Sequence, residues 1–427
     1  MLIRLHWHFQ RIKNLIAGGL RSLQQRGLRA TLIHVPQRLG WKARSGDGFS
    51  LPAGTAHVVI VDAQIPDPTR DSGSVRLLAI CQLLQARGLG VAFVPASGTA
   101  DSAERQRLAA ASIVLLGTHG GLSLPRWMSQ RKSDIRGVML CRHAVASAFL
   151  PLVRNLLPTV PVAFDTVDLH YLRERRAAQQ IGSPAAMAQA EQTRLAEIAM
   201  VTQTDLTYVV SIEEARTLAA ECPQARITVL SNIHRLQPPG PGPEHRRGAL
   251  FVGGWGHHPN QDAIHWLADT IWPLVQQRSP GCRLHIVGDL PEEIRQWLNG
   301  LPGIHAHGRL PDLQPLMDSC RFALAPLRVG AGVKGKVNSA MSHGLPVIAT
   351  SIAAEGMFIT PGIHALVADR PEEIVEAIVA LNQDDALWSA LSAGGQQNVQ
   401  DHFSAQAADQ ALDCWLPACP KQAPKQA

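Results

Sequence analysis

The chain lacks several things that familiar functions require. No G-x-G-x-x-G follows either of the apolar runs "AHVVIVDA" (56–63) or "GALFVGG" (248–254), which argues against a dinucleotide oxidoreductase. No uncharged apolar run approaches the roughly 20 residues that span a bilayer, and no apolar core follows the basic N-terminus. Neither a transmembrane helix nor a signal peptide is therefore expected. The seven cysteines are odd in number and scattered, without zinc-ligand spacing, as in reduced cytosolic thiols. Acidic residues are missing before Asp47, while Arg4, Arg11, Lys13, Arg21, Arg26, Arg29, Arg38, Lys42 and Arg44 all precede it. The net charge of +6 thus belongs to an arm over 1–50. Few aromatics interleave with those charges, so nucleic-acid binding is a poor fit.

What is present is a globular chain of 427 residues, 46% hydrophobic and 17% charged, long enough for more than one core. In the arm, Leu15, Ile16, Leu20, Leu23 and Leu28 fall near one helical face among arginines. That is either an interfacial helix drawn to anionic lipid or an arm packed on the body with a solvated basic face; Gly18, Gly19 and Gly27 weaken the helix in both cases. From residue 56 short β-branched apolar runs alternate with helical stretches, which implies a parallel sheet covered on both faces. "QPPGPGPEHRRG" at 237–248 breaks the alternation and reads as a linker, after which the same grammar restarts. The expected organisation is a basic helical arm at 1–50, an α/β domain at 56–236, a linker at 237–248, a second α/β domain at 249–405, and a helix end with a disordered tail at 406–427. Two such doubly wound, Rossmann-like domains would face each other across a cleft, with ligands in the loops at the strands' carboxyl ends.

The stretch "GAGVKGKVNSAMSHGLPVIATSIAAEGM" (330–357) is the most informative. The strand "RFALAPL" feeds a loop from Arg328 to Gly335, then about two helical turns from Lys336 to His343, with Gly344 at the helix end and Pro346 barring continuation. Val337, Ala340, Met341 and Gly344 form the stripe for the sheet, which leaves Lys336, Ser339 and His343 on another face. Gly330, Gly332 and Gly335 permit close backbone approach, the helix N-terminus adds partial positive charge, and Lys334, Lys336 and Arg328 add full charges. This is chemistry for a diphosphate; the alternative is a flexible turn with solvated lysines.

These residues also carry a resemblance. "APLRVGAGVKGKVNSAMSHGLPVIATSIAAEGM" resembles the donor-binding segment of the retaining GT-B glycosyltransferases of the family 4 type. "LFVGGWGHHPNQDAIHWLADTIWPLV" and "RLHIVGD" resemble the start of the same domain, and "VDAQIPDPTRDSGSVRLLAICQLLQARGLGVAFVP" and "VAFDTVDLHYLRERRAA" the N-terminal domain of a bacterial branch. The likeness covers about 56–405. It implies transfer of a hexose, with retention, from a nucleotide diphosphate sugar to a glycan or lipid-linked acceptor, in bacterial surface-polysaccharide synthesis, in the cytoplasm or peripherally on the inner face of the membrane. It further implies front-face attack in which the leaving phosphate takes the acceptor's proton. The family carries a pair of glutamates spaced as Ala331 and Ser339 are here, so this chain lacks both carboxylates. A serine makes one ribose hydrogen bond where a carboxylate would accept two. The departure leaves open a degenerate nucleotide-sugar-binding partner without turnover.

On the resemblance, His143, Lys334 and Lys336 are the catalytic candidates. Lys334, Lys336 and Arg328 would stabilise the departing diphosphate, and His143 would face the donor sugar unless it is only a satisfied surface histidine. Glu355 is the next candidate carboxylate for the nucleotide, against a purely local cap or pair. Gly73 and Ser74, with Arg76, would meet the donor phosphates, unless "RDSGS" is only a helix start capped by Ser72 or Ser74. Asp168 suits the N-cap of "LHYLRERRAA", and Asp165 remains a candidate for acceptor binding. Gly253 and Gly254 would lie near phosphate, with Asn260 capping the next helix. His257 and His258 are adjacent and lack the spacing of a metal pair, and no Asp-x-Asp occurs. The expected enzyme is metal-independent, with no cofactor beyond the sugar-nucleotide co-substrate.

Overall fold

The architecture comes from a computed structural model that describes residues 54–68, 71–117, 124–238, 240–330 and 332–417. The basic arm, Ala331 and the tail beyond 417 lie outside the described residues. Among the described residues, thirteen strands alternate with helices. Seven form the first sheet: β1 (His57–Asp62), β2 (Gly90–Pro95), β3 (Ile113–Leu115), β4 (Ile135–Cys141), β5 (Val162–Asp165), β6 (Leu206–Val209) and β7 (Ile227–Val229). Six form the second: β8 (Ala249–Val252), β9 (Leu284–Val287), β10 (Ile304–Gly308), β11 (Phe322–Ala325), β12 (Val347–Ala349) and β13 (Leu366–Val367).

Every pairing in both sheets is parallel. β1 shows why: all six of its residues are buried, so both faces need a covering layer of helices. The strand orders are β3-β2-β1-β4-β5-β6-β7 and β10-β9-β8-β11-β12-β13. Each order reverses once, between β1 and β4 and between β8 and β11. At a reversal the loops leaving two neighbouring strands turn to opposite faces and open a crevice, the usual ligand position in such sheets. Among the described residues, no helix is long and apolar enough to cross a membrane.

The chain divides into two compact units, but not at the expected linker. Residues 231–408, with 210–214, form the second unit. The Pro/Gly-rich stretch at 237–248 is therefore part of it and not a free linker. Arg246 explains this: its side chain is fully buried, donates to the carbonyls of Pro241 (2.7 Å), Cys320 (3.1 Å) and Met317, and stacks on Trp388. Residues 409–417 return to the first unit. Arg87 donates to Asp409 (2.7 Å) and to the Leu416 carbonyl (2.8 Å), and Trp415 packs so close to Gly137 that an added Cβ there would lie 2.7 Å from its ring. The segment from 406 to 417 is thus a packed element of the first unit's periphery for most of its length.

Asp165 is the clearest correction to the expected site. It ends β5 fully buried and receives two hydrogen bonds from the equally buried Arg76, at 2.7 and 3.0 Å. Arg76 also donates to the Leu230 carbonyl. Neither residue is available to an acceptor or a phosphate; together they tie a helix to the sheet. Removing one partner of such a pair strands the other charge. Asp165→Ala should lose about 3–5 kcal/mol in denaturant unfolding, and Arg76→Met with Asp165→Leu much less; equal losses would remove the ion pair from this account.

Candidate functional site

The crevice of the second sheet is built by the loops after β8 and β11. Gly330 and Gly332 have φ of +135° and +72°, conformations that favour glycine, and they turn the chain into the helix Gly335–Ser342. That helix begins one residue before its expected start. Val337, Ala340 and Met341 are buried on the sheet as the spacing required, while Lys336, Ser339 and His343 are half-buried on a shared face. Lys334 occupies the N-cap position without a side-chain cap; its backbone N–H donates to Met357 Sδ, and its buried amine reaches the Glu355 carbonyl at 3.4 Å. Thr350 pins the neighbouring loops, donating to the Leu327 carbonyl and accepting from the Ala353 N–H. Lys334 and Glu355 therefore belong to one frame. Glu355 itself is half-buried just past the short helix Ser351–Ala354.

Lys336 has the most distinctive surroundings. Its amine donates to Asn260 Oδ1 at 2.6 Å and lies 4.5 Å from the Phe251 ring centroid. Its stem lines an apolar pocket with Leu250, Val252, Ala325 and Val337. Burial in that pocket pushes its pKa down to about 7. Gly253 makes the arrangement possible, because a Cβ there would lie 2.8 Å from Asn260 Cγ and 2.9 Å from the lysine Nζ. Gly254 supplies a carbonyl for the Asn260 amide at 2.9 Å. Asn260 does not cap its helix: it stands inside helix His258–Trp266 and bridges the loop after β8 to the loop helix after β11.

Arg328 is placed differently from the expectation. Its guanidinium holds Asp262 through two hydrogen bonds, at 3.0 and 2.5 Å, and stacks 4.9 Å from the Trp266 ring centroid. Its charge is already matched, so it braces the loop from the helix side. Asn338, beside Ser339, was not foreseen at all. It is fully buried, and neither its amide nitrogen nor its oxygen has a hydrogen-bond partner among the described residues.

In the first sheet, the loops after β1 and β4 flank the reversal. Gly73 and Ser74 lie in the first turn of helix Ser72–Ala86, whose N-cap is Asp71 and not Ser72 or Ser74. The Asp71 carboxylate takes the Ser74 N–H at 2.7 Å, and its carbonyl takes the Val75 N–H at 3.4 Å. Those two donors are therefore spent within the helix end. His143 opens helix His143–Leu156 directly after β4, with its side chain about one-fifth exposed. Asp168 does not cap helix His170–Ile181. Glu197, fully buried on another helix, does so by accepting the N–H groups of His170 (3.0 Å) and Tyr171 (3.1 Å). The only signal for Glu197 in the sequence was an acidic residue on an otherwise apolar helical face.

Comparison with known proteins bears on the fold. Residues 246–384 match the family model described as Glycosyl transferases group 1. An uncharacterized 44.6 kDa protein in the cps region of Klebsiella pneumoniae is 23% identical over 167 residues. That match takes in 37% of this chain and 43% of the relative, so the chain spans less than half of the curated protein it resembles. Anabaena HepE, solved in complex with UDP, superposes with a TM-score of 0.62 at 15% identity, over 83% of this chain and 98% of that one. Sucrose-phosphate synthase from Thermosynechococcus elongatus gives 0.57 at 13% identity, over 84% and 98%. A glycosyltransferase from Rickettsia africae gives 0.58 at 10% identity, over 84% and 96%. The fold is GT-B.

A lysine whose pKa falls on folding makes stability depend on pH. Above about pH 7 folded Lys336 is neutral, while an unfolded lysine keeps its proton to about 10.5. The unfolded state then binds more protons, so stability should rise with pH across that window. Lys336→Met should flatten the rise; an unchanged slope would show that the amine is not desolvated.

Proposed function

We propose that this chain is a glycosyltransferase that takes a sugar from a nucleotide diphosphate donor and passes it, with retention, to a glycan or lipid-linked acceptor in surface-polysaccharide assembly. The observation that carries the reading is the Lys336–Asn260–Gly253 arrangement at the reversal of the second sheet, with Lys334 two residues away at the same helix N-terminus. A desolvated amine, a helix N-terminus and glycine turns are what a diphosphate needs. The group 1 match falls on this same unit, and HepE, one of the similar structures, is described with UDP and with UDP-glucose. The cps-region relative supports a polysaccharide role.

In this reading the second unit binds the donor. The difficult event is departure of the nucleoside diphosphate, which develops negative charge on the phosphate oxygens. Lys334 and Lys336 meet that charge, and Lys336 gains most because its amine starts poorly solvated. Arg328 keeps the loop in place through Asp262 and does not contact phosphate. Ser339 gives the ribose one hydrogen bond, and Glu355 is the remaining carboxylate in the frame. Front-face transfer, in which the leaving phosphate takes the acceptor proton, needs neither the absent glutamate pair nor a metal ion. The acceptor is handled by the first unit, with His143 as its candidate contact. Attraction of the basic arm to anionic lipid would hold the protein at the inner face of the membrane; co-sedimentation with anionic vesicles, with and without residues 1–50, decides that part.

Ala331 and Ser339 favour one second reading, a nucleotide-sugar binder without turnover. A thermal-shift screen against UDP, GDP, dTDP, ADP and CMP separates the possibilities. One diphosphate should raise Tm by several degrees, and Lys334→Ala and Lys336→Ala should each abolish the shift. Sugar transfer from the matching donors then distinguishes enzyme from binder. A shift that survives both lysine changes would place the nucleotide elsewhere.

A further inference from the structure

The first unit holds a cluster that the donor site does not use. His143 begins the helix after β4, His170 begins helix His170–Ile181 after β5, and Glu197 reaches both from helix Pro184–Gln203. Nδ1 of His170 lies 3.4 Å from Glu197 Oε1, and Nδ1 of His143 lies 3.6 Å from the same oxygen. The two rings meet edge-on with centroids 5.2 Å apart. The approaches to both helices are strained: Arg142 and Val167 have φ of +69° and +65°. A β-branched residue in the left-handed region is a real outlier, and such strain persists where the surroundings enforce it.

We propose that Glu197 is a positioning residue that fixes His143 and His170 by their Nδ1 edges and so presents the opposite ring edges as a two-histidine acceptor site at the carboxyl end of the first sheet. The proposal rests on the glycosyltransferase reading for its substrate, an acceptor hydroxyl, but its geometry does not depend on it. His170 Nδ1 sits 2.9 Å from the Asp168 carbonyl, which requires a hydrogen on that nitrogen. His143 Nδ1 is buried with no hydrogen-bond partner, and Glu197 Oε1 is the acceptor it approaches. Each histidine keeps some exposure, 20% and 13% of its side chain, while Glu197 has none.

The electrostatics agree. Burial alone would raise the Glu197 carboxyl, but the His143 and His170 rings and the two backbone N–H groups outweigh it and bring its pKa down to about 2. Burial alone would lower His170; Glu197 and Asp168 outweigh it and raise the ring, with Arg173 opposing them. The three ligand-type atoms lie within 4.8 Å of one another, close enough to suggest a metal ion. Two features argue against one. The Nδ1 hydrogen of His170 is shared between the Asp168 carbonyl and Glu197, and both helices turn their positive ends toward the cluster. Glu197 is the counter-charge those ends and rings need.

The test is nitrogen-15 NMR of the histidine side chains in the full chain, assigned with His143→Asn and His170→Asn. In the wild type both rings should carry hydrogen on Nδ1 near neutral pH. In Glu197→Gln, which keeps one oxygen for the helix N–H groups, His170 should titrate at lower pH and His143 should lose its Nδ1–H signature. Asp168→Asn should lower the His170 midpoint and leave the His143 tautomer alone, which also serves if Glu197→Gln does not fold. Unchanged tautomers in Glu197→Gln would overturn the proposal, as would stoichiometric Zn²⁺ shifting both rings in the wild type. With a turnover assay, Glu197→Gln should lower kcat by about 100-fold and leave the donor KM within about threefold. If no nucleotide sugar is turned over, the glycosyltransferase reading fails while the NMR result still decides the role of Glu197.

Discussion

Lys336 places an amine where water cannot fully solvate it, and much of the second unit's crevice is arranged around that fact. The Phe251 ring and the apolar pocket withdraw solvent, Asn260 offers a single acceptor, and Gly253 leaves the space in which the two meet. The loop after β8 and the loop helix after β11 are joined through this contact. An incoming anion would find a group whose charged state is poorly compensated in its absence, which is a favourable starting point for binding phosphate. The neighbouring Arg328–Asp262 pair does the opposite job, since its charges are satisfied before any ligand arrives.

The first unit shows the same division of labour among its ionised side chains. Asp165 and Arg76 neutralise each other in the dark interior and hold a helix on the sheet. Glu197 is equally buried but faces two histidines that retain access to solvent. Two carboxylates in one unit thus separate into a structural and a positioning role according to what they face. The strained backbone at Arg142 and Val167 is held by Asp165, which accepts both N–H groups, and it leads into the two helices that Glu197 faces.

The alternation of buried strands and helices was legible in the sequence because both sheets are parallel and covered, so their strands read as continuous apolar runs. The glycine–lysine loop was legible because its turns demand glycine at Gly330 and Gly332. Long-range pairing was not. Nothing local links Arg76 to Asp165 or Asn260 to Lys336, which the strand order brings together, or Glu197 to the start of helix His170–Ile181, which the packing of two successive helices brings about. Asp165 and Ser74 looked available to a ligand because they end a strand or open a helix, and the fold uses them internally. The stretch at 237–248 looked like a linker by composition, and the buried Arg246 within it holds it to the second unit.

The central claim, that the second unit's crevice receives a diphosphate on an under-charged lysine, is tested most directly by calorimetric titration of the nucleoside diphosphate that binds, in buffers of different ionisation enthalpy. With burial holding the Lys336 pKa down to about 7, the account has its amine lose the proton by pH 8 in the free protein and regain it beside phosphate. Binding should therefore take up protons at pH 8, less so at pH 6, and Lys336→Met should bind weakly without uptake. Tight binding with no proton uptake, unchanged in Lys336→Met, would contradict the account.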